Sequence, residues 1–168
     1  PTRIISGEGC LVENAALLKE MGNKALIVTG RHSARANGSL DDALKALALN
    51  GQEYVLFDKV MSNPTVACTL EGAAVMREGK CDFVLAIGGG SPMDAGKAMA
   101  LLAARDEAVD PAAIFSTAYT AAYPVVAVPT TAGTGSEVTQ YSILTNDAAE
   151  TKTSIASPLI FPRLAFLD

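Results

Sequence analysis

The sequence predicts an α/β protein with a doubly wound, mostly parallel, Rossmann-like sheet and a β-hairpin appended near the C-terminus. Short apolar runs rich in β-branched residues alternate with segments whose apolar residues recur at helical spacing. The strand-like runs are almost continuously apolar, as parallel strands covered on both faces are. Such alternation is typical of βαβ units, and 168 residues is an ordinary length for one domain. We therefore expect a single domain over residues 1–168.

Four apolar runs are predicted as buried strands, and the segments between them as helices. The predicted strands are residues 24–29, 53–57, 82–87 and 124–128. The predicted helices are residues 11–21, 40–50, 66–79 and 93–104. Glycines at the ends of the second and third helical segments supply the expected helix stops.

The C-terminal part of the sequence follows a different pattern. Residues 139–145 and 151–156 alternate polar and apolar side chains around Asn146-Asp147, which predicts a hairpin. Residues 164–167 are predicted as one further strand.

Composition excludes several classes of protein. A net charge of −5 provides no basic surface for nucleic acid or for an anionic membrane. The three cysteines are widely spaced without a CxxC pair, so reduced thiols are expected rather than a disulfide or a zinc site. One histidine, His32, excludes a multi-histidine metal centre within the chain. No uncharged apolar run approaches the ~20 residues of a membrane span, and no signal peptide is evident at the start, so we expect a cytoplasmic protein.

A glycine-rich segment, Gly88-Gly89-Gly90-Ser91, follows the third buried strand and precedes a helix. Ser91 is predicted as the N-cap, Pro92 as the first helical residue and Asp94 as the third, in a Ser-x-x-Asp capping arrangement. Glycines let backbone amides approach a ligand, and a helix N-terminus carries partial positive charge. This segment therefore predicts a site for a diphosphate.

Two better-known phosphate motifs do not fit the segment. Met93 stands where the dinucleotide fingerprint G-x-G-x-x-G needs its third glycine. A Walker A loop would begin at Ser91 rather than glycine, and Ala98 follows Lys97 where serine or threonine is required. A purely structural strand-to-helix turn remains the alternative.

A second polar loop, residues 128–137, follows the next predicted strand. It carries four hydroxyl side chains, at Thr130, Thr131, Thr134 and Ser136. Loops after parallel strands share the carboxyl edge of the sheet, where open α/β folds bind ligands. We expect these hydroxyls to donate to phosphate or ribose, against the alternative of a Thr/Gly-rich surface turn.

The two loops together resemble a known family. GGGSPMDAGKA at residues 88–98 and PTTAGTGSEVT at residues 129–139 resemble the paired motifs of the iron-containing (group III) alcohol dehydrogenases. The resemblance continues through residues 25–29, 63–65 and 163–168 and covers essentially the whole chain. It corresponds to the amino-terminal, dinucleotide-binding half of such an enzyme.

The resemblance implies a set of cofactor-binding residues. Gly88 to Ser91 would hold the pyrophosphate, with Asp94 nearby. Asn63, Thr130, Thr131, Thr139 and Lys152 stand at cofactor-contact positions of the family. The full candidate set is Gly30, Arg31, Ser33, Asn63, Gly88, Gly89, Gly90, Ser91, Asp94, Thr130, Thr131, Thr134, Thr139 and Lys152.

The loop that begins at Gly30 bears on the choice of cofactor. Members that prefer NAD tend to carry an aspartate at this position, which would repel a 2′-phosphate, whereas Gly30 leaves room for it. Arg31 and Ser33 add a charge and donors suited to phosphate. We expect NADP rather than NAD, with a solvated basic loop as the alternative.

The resemblance implies hydride transfer between a nicotinamide and a small alcohol or aldehyde, with Fe²⁺ or another divalent metal as Lewis acid in the full-length enzyme. The family's metal ligands, one aspartate and three histidines, belong to a following helical domain. We therefore expect no catalytic or metal-binding residue within these 168 residues, and no turnover by them alone. Alternatives are a glycerol- or polyol-type dehydrogenase of the same superfamily and a non-catalytic nucleotide-binding fragment. We expect a homo-oligomer, a dimer as is common in the family.

Overall fold

The computed structural model describes residues 1–131, 135–147 and 149–168. Six parallel strands form the main sheet: β1 (Arg3–Ser6), β2 (Lys24–Gly30), β3 (Glu53–Val60), β4 (Phe83–Gly88), β5 (Val125–Pro129) and β8 (Leu164–Leu167). Their order is β1-β8-β5-β4-β2-β3. Strands β6 (Tyr141–Asn146) and β7 (Thr151–Ala156) form a separate antiparallel hairpin. The predicted Rossmann-like sheet and the C-terminal hairpin are confirmed.

Helices cover both faces of the sheet. They are α1 (Cys10–Glu13), α2 (Ala16–Lys19), α3 (Ser33–Ala36), α4 (Ser39–Leu49), α5 (Val66–Glu78) and α6 (Gly90–Ala103), with 3₁₀ turns at Pro111–Ala113, Ser136–Val138 and Pro158–Ile160. Helices α1 to α4 pack in one core cluster with alternate residues of β2 and β4, and α5 and α6 pack in a second cluster with the other alternate residues. The sheet is thus doubly wound. Among the described residues, no helix is long and apolar enough to cross a membrane.

The predicted helix over residues 11–21 is wrong, because two short helices, α1 and α2, occupy this segment. Asn14 follows α1, and its side-chain amide donates a 2.8 Å hydrogen bond to the carbonyl oxygen of Cys10. Side-chain bonds of this kind compete with the helical ladder. Strand β1 and helix α3 were not predicted, since four residues carry too little periodicity to be recognised.

Helix α6 lies unusually close to the centre of the sheet. A Cβ atom at Gly96 would lie 3.0 Å from Val84 Cγ1 and 3.2 Å from Ala86 Cβ, so the absence of a side chain there allows the close packing. Both contacted residues belong to β4, the strand that leads directly into α6. This packing fixes the start of α6 at the carboxyl end of β4.

The order in which successive strands are placed in the sheet reverses at β2. Strand β3 pairs with one side of β2, and β4, the next strand in sequence, pairs with the other side. The crevice between the carboxyl ends of β2 and β4 is therefore the topological switch point, where open α/β sheets bind ligands. Gly30 ends β2 and Gly88 ends β4, so both predicted glycine positions border this crevice.

Candidate functional site

The turn between β4 and α6, residues 88–91, is called the glycine turn below. Gly88 has φ 141°, and a Cβ atom there would lie 2.8 Å from Pro92 Cγ. A Cβ atom at Gly89 would lie 3.1 Å from Thr131 Oγ1 in the next loop. Gly88 is therefore required both for its backbone conformation and for space.

Helix α6 begins earlier than the sequence predicts. It starts at Gly90 with Gly89 as its N-cap, and no side chain makes a capping hydrogen bond. The prediction of Ser91 as N-cap and Asp94 as its capping partner is wrong, because the glycines themselves form the first turn. Backbone N–H groups at a helix N-terminus that no side chain caps are free to bind an anion.

The two rim loops are joined directly. The backbone N–H of Thr130 donates a 2.9 Å hydrogen bond to the carbonyl oxygen of Gly88. Among the described residues, the buried Oγ1 of Thr130 has no hydrogen-bond partner. A buried hydroxyl without a partner is costly, and a polar ligand at this rim would relieve that cost. The loops therefore meet as predicted, and one of them has an unused donor.

A cleft of about 380 Å³ separates the glycine turn from the β6–β7 hairpin, and we call it the hairpin cleft. Gly90, Ser91 and Asp94 line its helix side, and Thr139 and Lys152 line its hairpin side. Asn63 lines it as well, although this residue lies far away in sequence. The structure thus brings six of the predicted site residues around one space.

The loop after β3 carries Asn63 to the cleft. Asn63 has φ 57°. The segment that follows it contacts β6, because the N–H of Thr145 donates a 2.9 Å hydrogen bond to the carbonyl oxygen of Pro64. Thr65 and Thr145 also form an isolated parallel bridge. This docking explains how a residue between β3 and α5 reaches the hairpin.

A second cleft of about 590 Å³ lies on the other side of the rim, and we call it the α4 cleft. Thr130 and Thr131 line it together with Ser39 and Asp42 from α4. The glycine turn lines the hairpin cleft through Gly90 and Ser91, and Gly89 lies against Thr131 in the wall of the α4 cleft.

The predicted cofactor-selecting loop lies beside these clefts rather than in them. Gly30 is half-buried, and Arg31 and Ser33 are exposed. A Cβ atom at Gly30 would lie 3.3 Å from the carbonyl oxygen of Val60. A neighbouring cation that the sequence pattern does not single out, Arg35 of α3, lies 3.5 Å from Asp58, and both side chains are exposed. The predicted Thr134 lies outside the described residues.

Lys97 is the most unusual polar residue near the site. It is fully buried, and its Nζ lies within hydrogen-bond distance of four oxygens. These are Ser136 O at 2.6 Å, Ser136 Oγ at 3.1 Å, Tyr141 O at 3.1 Å and Thr139 Oγ1 at 3.3 Å. Burial lowers the pKa of Lys97 to about 8, while the carboxylates of Asp94 and Glu137 act in the opposite direction.

Asp94 belongs to the same polar group. Its Oδ1 accepts a 2.9 Å hydrogen bond from Ser136 Oγ. Burial raises the pKa of Asp94, and the Ser136 hydroxyl, Lys97 and the Ile143 N–H partly offset that effect. In the sequence, Lys97 bears only on the rejected Walker A loop. The available signal was its spacing from Asp94, because residues three apart on a helix are neighbours.

The described residues fit a dinucleotide better than a metal ion. Within them, no group of three or more His, Cys, Asp or Glu residues lies where it could hold a metal. His32 is exposed beside Gly30, not in either cleft. The glycine turn, which has no room for a Cβ at Gly88, and the unpartnered hydroxyl of Thr130 both suit a phosphate-containing ligand.

Together these features define a Rossmann-like α/β protein with a glycine-rich turn at its switch point. The chain belongs to the iron-containing alcohol dehydrogenase family, whose model matches residues 1–168. The resemblance inferred from the two loop motifs is thereby confirmed.

Comparisons with individual proteins agree. The chain is 35% identical over 173 residues to an NADPH-dependent butanol dehydrogenase of Clostridium saccharobutylicum, covering 100% of this chain and 43% of that protein. It is 32% identical over 169 residues to an NAD-dependent methanol dehydrogenase of Bacillus methanolicus, covering 100% and 44%. An iron-containing alcohol dehydrogenase structure from Thermotoga maritima matches with a TM-score of 0.88 and 41% identity, covering 100% and 46%. The chain thus spans less than half of the length of each.

Proposed function

We propose that residues 1–168 form the dinucleotide-binding domain of a metal-dependent alcohol dehydrogenase or aldehyde reductase. Such an enzyme transfers a hydride between a nicotinamide and a small alcohol or aldehyde. The observation that carries this proposal is the glycine turn at the switch point of the sheet, which lines the hairpin cleft and lies against Thr131 of the α4 cleft. Family membership supports the same reaction class.

The residues at the rim would divide the cofactor between them. The N–H groups at the start of α6, from Gly89 to Ser91, would donate to the pyrophosphate, where the helix dipole favours negative charge. Thr130 and Thr131 would donate to phosphate or ribose in the α4 cleft. Thr134, which lies outside the described residues, is expected to donate to the cofactor as well. Asn63, Thr139 and Lys152 would contact the other half of the cofactor in the hairpin cleft. Asp94, bound to Ser136, supports that wall.

The preferred cofactor in this proposal is NADP rather than NAD. Relatives of both kinds are similar to this chain, so the choice has to come from its own residues. Gly30 at the end of β2 places no carboxylate beside the crevice, and the exposed Arg31 and Ser33 follow it directly. A guanidinium beside a 2′-phosphate makes a strong, charge-assisted hydrogen bond.

The metal would be supplied by a part of the protein outside these residues. When bound, Fe²⁺ or another divalent ion would polarise the substrate oxygen as a Lewis acid. In this proposal the described residues would hold and orient the dinucleotide, and among them no group of three or more His, Cys, Asp or Glu side chains lies where it could hold a metal ion. Turnover by residues 1–168 alone is therefore not expected.

The remaining partners follow from surface properties. A cytoplasmic homodimer that binds neither nucleic acid nor membrane is consistent with the net charge of −5 and with the free cysteines among the described residues. Strand β1 lies at the edge of the sheet, and its Ile4 is 51% exposed. An unpaired strand edge of this kind is a place where a second copy could pair.

Titration of the purified chain with NADPH and with NADH, in which calorimetry measures binding, tests the proposal. Binding of one dinucleotide per chain is expected, with NADPH the tighter of the two. Lys152 lines the hairpin cleft, so Lys152→Ala should weaken dinucleotide binding. Lys45→Ala, which removes an exposed lysine on α4, is the matched control and should leave binding unchanged. Failure to bind either dinucleotide, or tighter binding of NADH, would contradict the corresponding part of the proposal.

A further inference from the structure

The side chain of Lys97 connects helix α6 to one continuous segment of the chain. All four of its oxygen partners belong to residues 136–141, which run from the 3₁₀ turn at Ser136–Val138 into β6. Two of these partners are backbone carbonyl oxygens, on Ser136 and Tyr141. The contacts therefore hold the path of the backbone and do not only satisfy side chains.

The preceding turn of α6 makes two more contacts, one with the same segment and one with Ser142, the residue that follows it. The carboxylate of Asp94 accepts from Ser136 Oγ at 2.9 Å, and its backbone carbonyl accepts from Ser142 Oγ at 2.6 Å. In contrast, two large apolar side chains of the segment face outward, with Val138 40% and Tyr141 47% exposed. Polar contacts to α6, more than apolar packing of these two side chains, hold the segment in place.

The same two elements are the walls of the hairpin cleft. Gly90, Ser91 and Asp94 line it from α6, and Thr139 and Tyr141 line it from the segment that Lys97 holds. Burying an ammonium group carries a desolvation cost that an apolar side chain of similar length would avoid. A charge at this place is explained if the separation of the two walls depends on it.

We propose that Lys97 is a positioning residue, which fixes residues 136–142 against α6 and thereby sets the width of the hairpin cleft. The identity of the ligand in that cleft rests on the proposed function. Lys97 itself is fully enclosed and does not touch the cofactor in this proposal.

The charge of Lys97 offers a way to separate positioning from simple filling of space. Its pKa of about 8 means that the ammonium loses its proton within an accessible pH range. The charged groups that face it are Asp94 on α6 and Glu137 in the 3₁₀ turn, and Lys152 of β7 lines the same cleft. A neutral amine has two N–H donors for four acceptors, so the contacts weaken as the pH rises.

The test compares the wild-type chain with Lys97→Met, using Lys45→Met on the exposed face of α4 as the matched control. In Lys97→Met, amide hydrogen exchange over residues 136–146 and 151–156 should accelerate about tenfold while β4 stays protected. NADPH affinity at pH 7 should fall about tenfold, as loss of a charged hydrogen-bonding group predicts. The ratio of wild-type to Lys97→Met affinity should shrink towards one at pH 9.5, because the wild type then lacks the charge at residue 97 as well. Asp94, Glu137 and Lys152 are present in both chains, so their titration does not change this ratio.

Unchanged exchange in the hairpin, or an affinity ratio that stays constant between pH 7 and 9.5, would overturn the proposal. If the wild type binds neither NADPH nor NADH, the proposed function fails, and the exchange comparison still decides the role of Lys97. If Lys97→Met does not fold, Ser136→Ala keeps the lysine and removes one of its acceptors. That variant should accelerate hairpin exchange about threefold, and no acceleration would equally overturn the proposal.

Discussion

The N–H of Thr130 and the carbonyl oxygen of Gly88 lie 2.9 Å apart and form a hydrogen bond between the two loops at the rim of the sheet. Gly88 ends β4, and Pro129 at the end of β5 is its partner in the ladder. The bond therefore extends the β4–β5 pairing by one residue beyond the strands. It holds the glycine turn and the threonines at a constant distance, which a ligand contacting both loops requires.

Gly88→Ala should destabilise the chain and abolish dinucleotide binding. The positive φ of 141° strains any side chain, and the new Cβ would lie 2.8 Å from Pro92 Cγ. We expect a loss of about 1–3 kcal/mol in the free energy of unfolding, measured by urea denaturation. Gly7→Ala is the matched control, since Gly7 has φ 125° but open space around it. Equal effects of the two substitutions would show that the contact with Pro92 is unimportant.

Gly30→Asp should reverse the cofactor preference. The added Cβ lies 3.3 Å from the Val60 carbonyl oxygen, a contact that a shift of a few tenths of an ångström relieves. The carboxylate would repel a 2′-phosphate, so the ratio of NADH to NADPH affinity should rise about tenfold or more by calorimetry. Arg31→Ala should lower NADPH affinity and leave NADH affinity unchanged. An effect of equal size on both cofactors would argue against a role of this loop in selection.

Thr130→Val should have opposite effects on stability and on binding. Among the described residues, Thr130 Oγ1 is buried without a partner, so an isosteric methyl group should raise the free energy of unfolding by about 1 kcal/mol. If the hydroxyl donates to the cofactor, NADPH affinity should fall in the same variant. Thr131→Val, on the exposed neighbour, should leave stability unchanged. A Thr130→Val chain that is more stable and binds normally would exclude this hydroxyl from the site.

The stability of the chain should depend on pH through Lys97. Its pKa is about 8 when folded and near the ordinary 10.5 when unfolded. Between these values the unfolded chain binds more protons, so the free energy of unfolding increases as the pH rises through 8. The gain comes from removing the desolvation cost of the buried ammonium, which exceeds the loss from its weakened contacts. The full difference is on the order of 3 kcal/mol. It should appear as a pH-dependent difference between wild type and Lys97→Met from pH 7 to 10.5, and a parallel pair of curves would contradict it.

Removal of divalent metal should leave dinucleotide binding unchanged. The described residues contain no cluster of three or more His, Cys, Asp or Glu side chains that could hold a metal ion, although Asp42, Glu137 and Asp168 all line the α4 cleft. NADPH affinity of residues 1–168 should be the same with EDTA as with added Fe²⁺, and no alcohol oxidation should be detected in either. Turnover that depends on added iron would show that these residues form a metal centre of their own.

Most of the sheet follows directly from the sequence. Strands such as β4 are apolar on both faces, because helices cover both, and this makes them recognisable as continuous runs. The start of α6 was misplaced because serine usually caps a helix, whereas here Gly89 occupies that position. No local pattern distinguishes a glycine that caps from one that only precedes the cap.

The site is less predictable than the fold. Asn63 and Lys152 reach the hairpin cleft through contacts between distant segments, and their own sequence context is that of a turn and an exposed strand. They were predicted only through the family resemblance. Lys97 was missed because helical periodicity does not reveal what packs over a lysine, and its partners come from a loop whose path is set by tertiary contacts.

The position of β8 has a consequence for how the chain acquires its structure. This strand lies between β1 and β5, so among the described strands β1 has no neighbour in the sheet until residues 164–167 are made. Gly7 and Gly9 also bond to Leu167 and Asp168. Contacts of such large sequence separation form slowly. During translation, β2 to β5 and their helices can assemble first, while β1 remains an exposed strand that a chaperone or another nascent chain could bind.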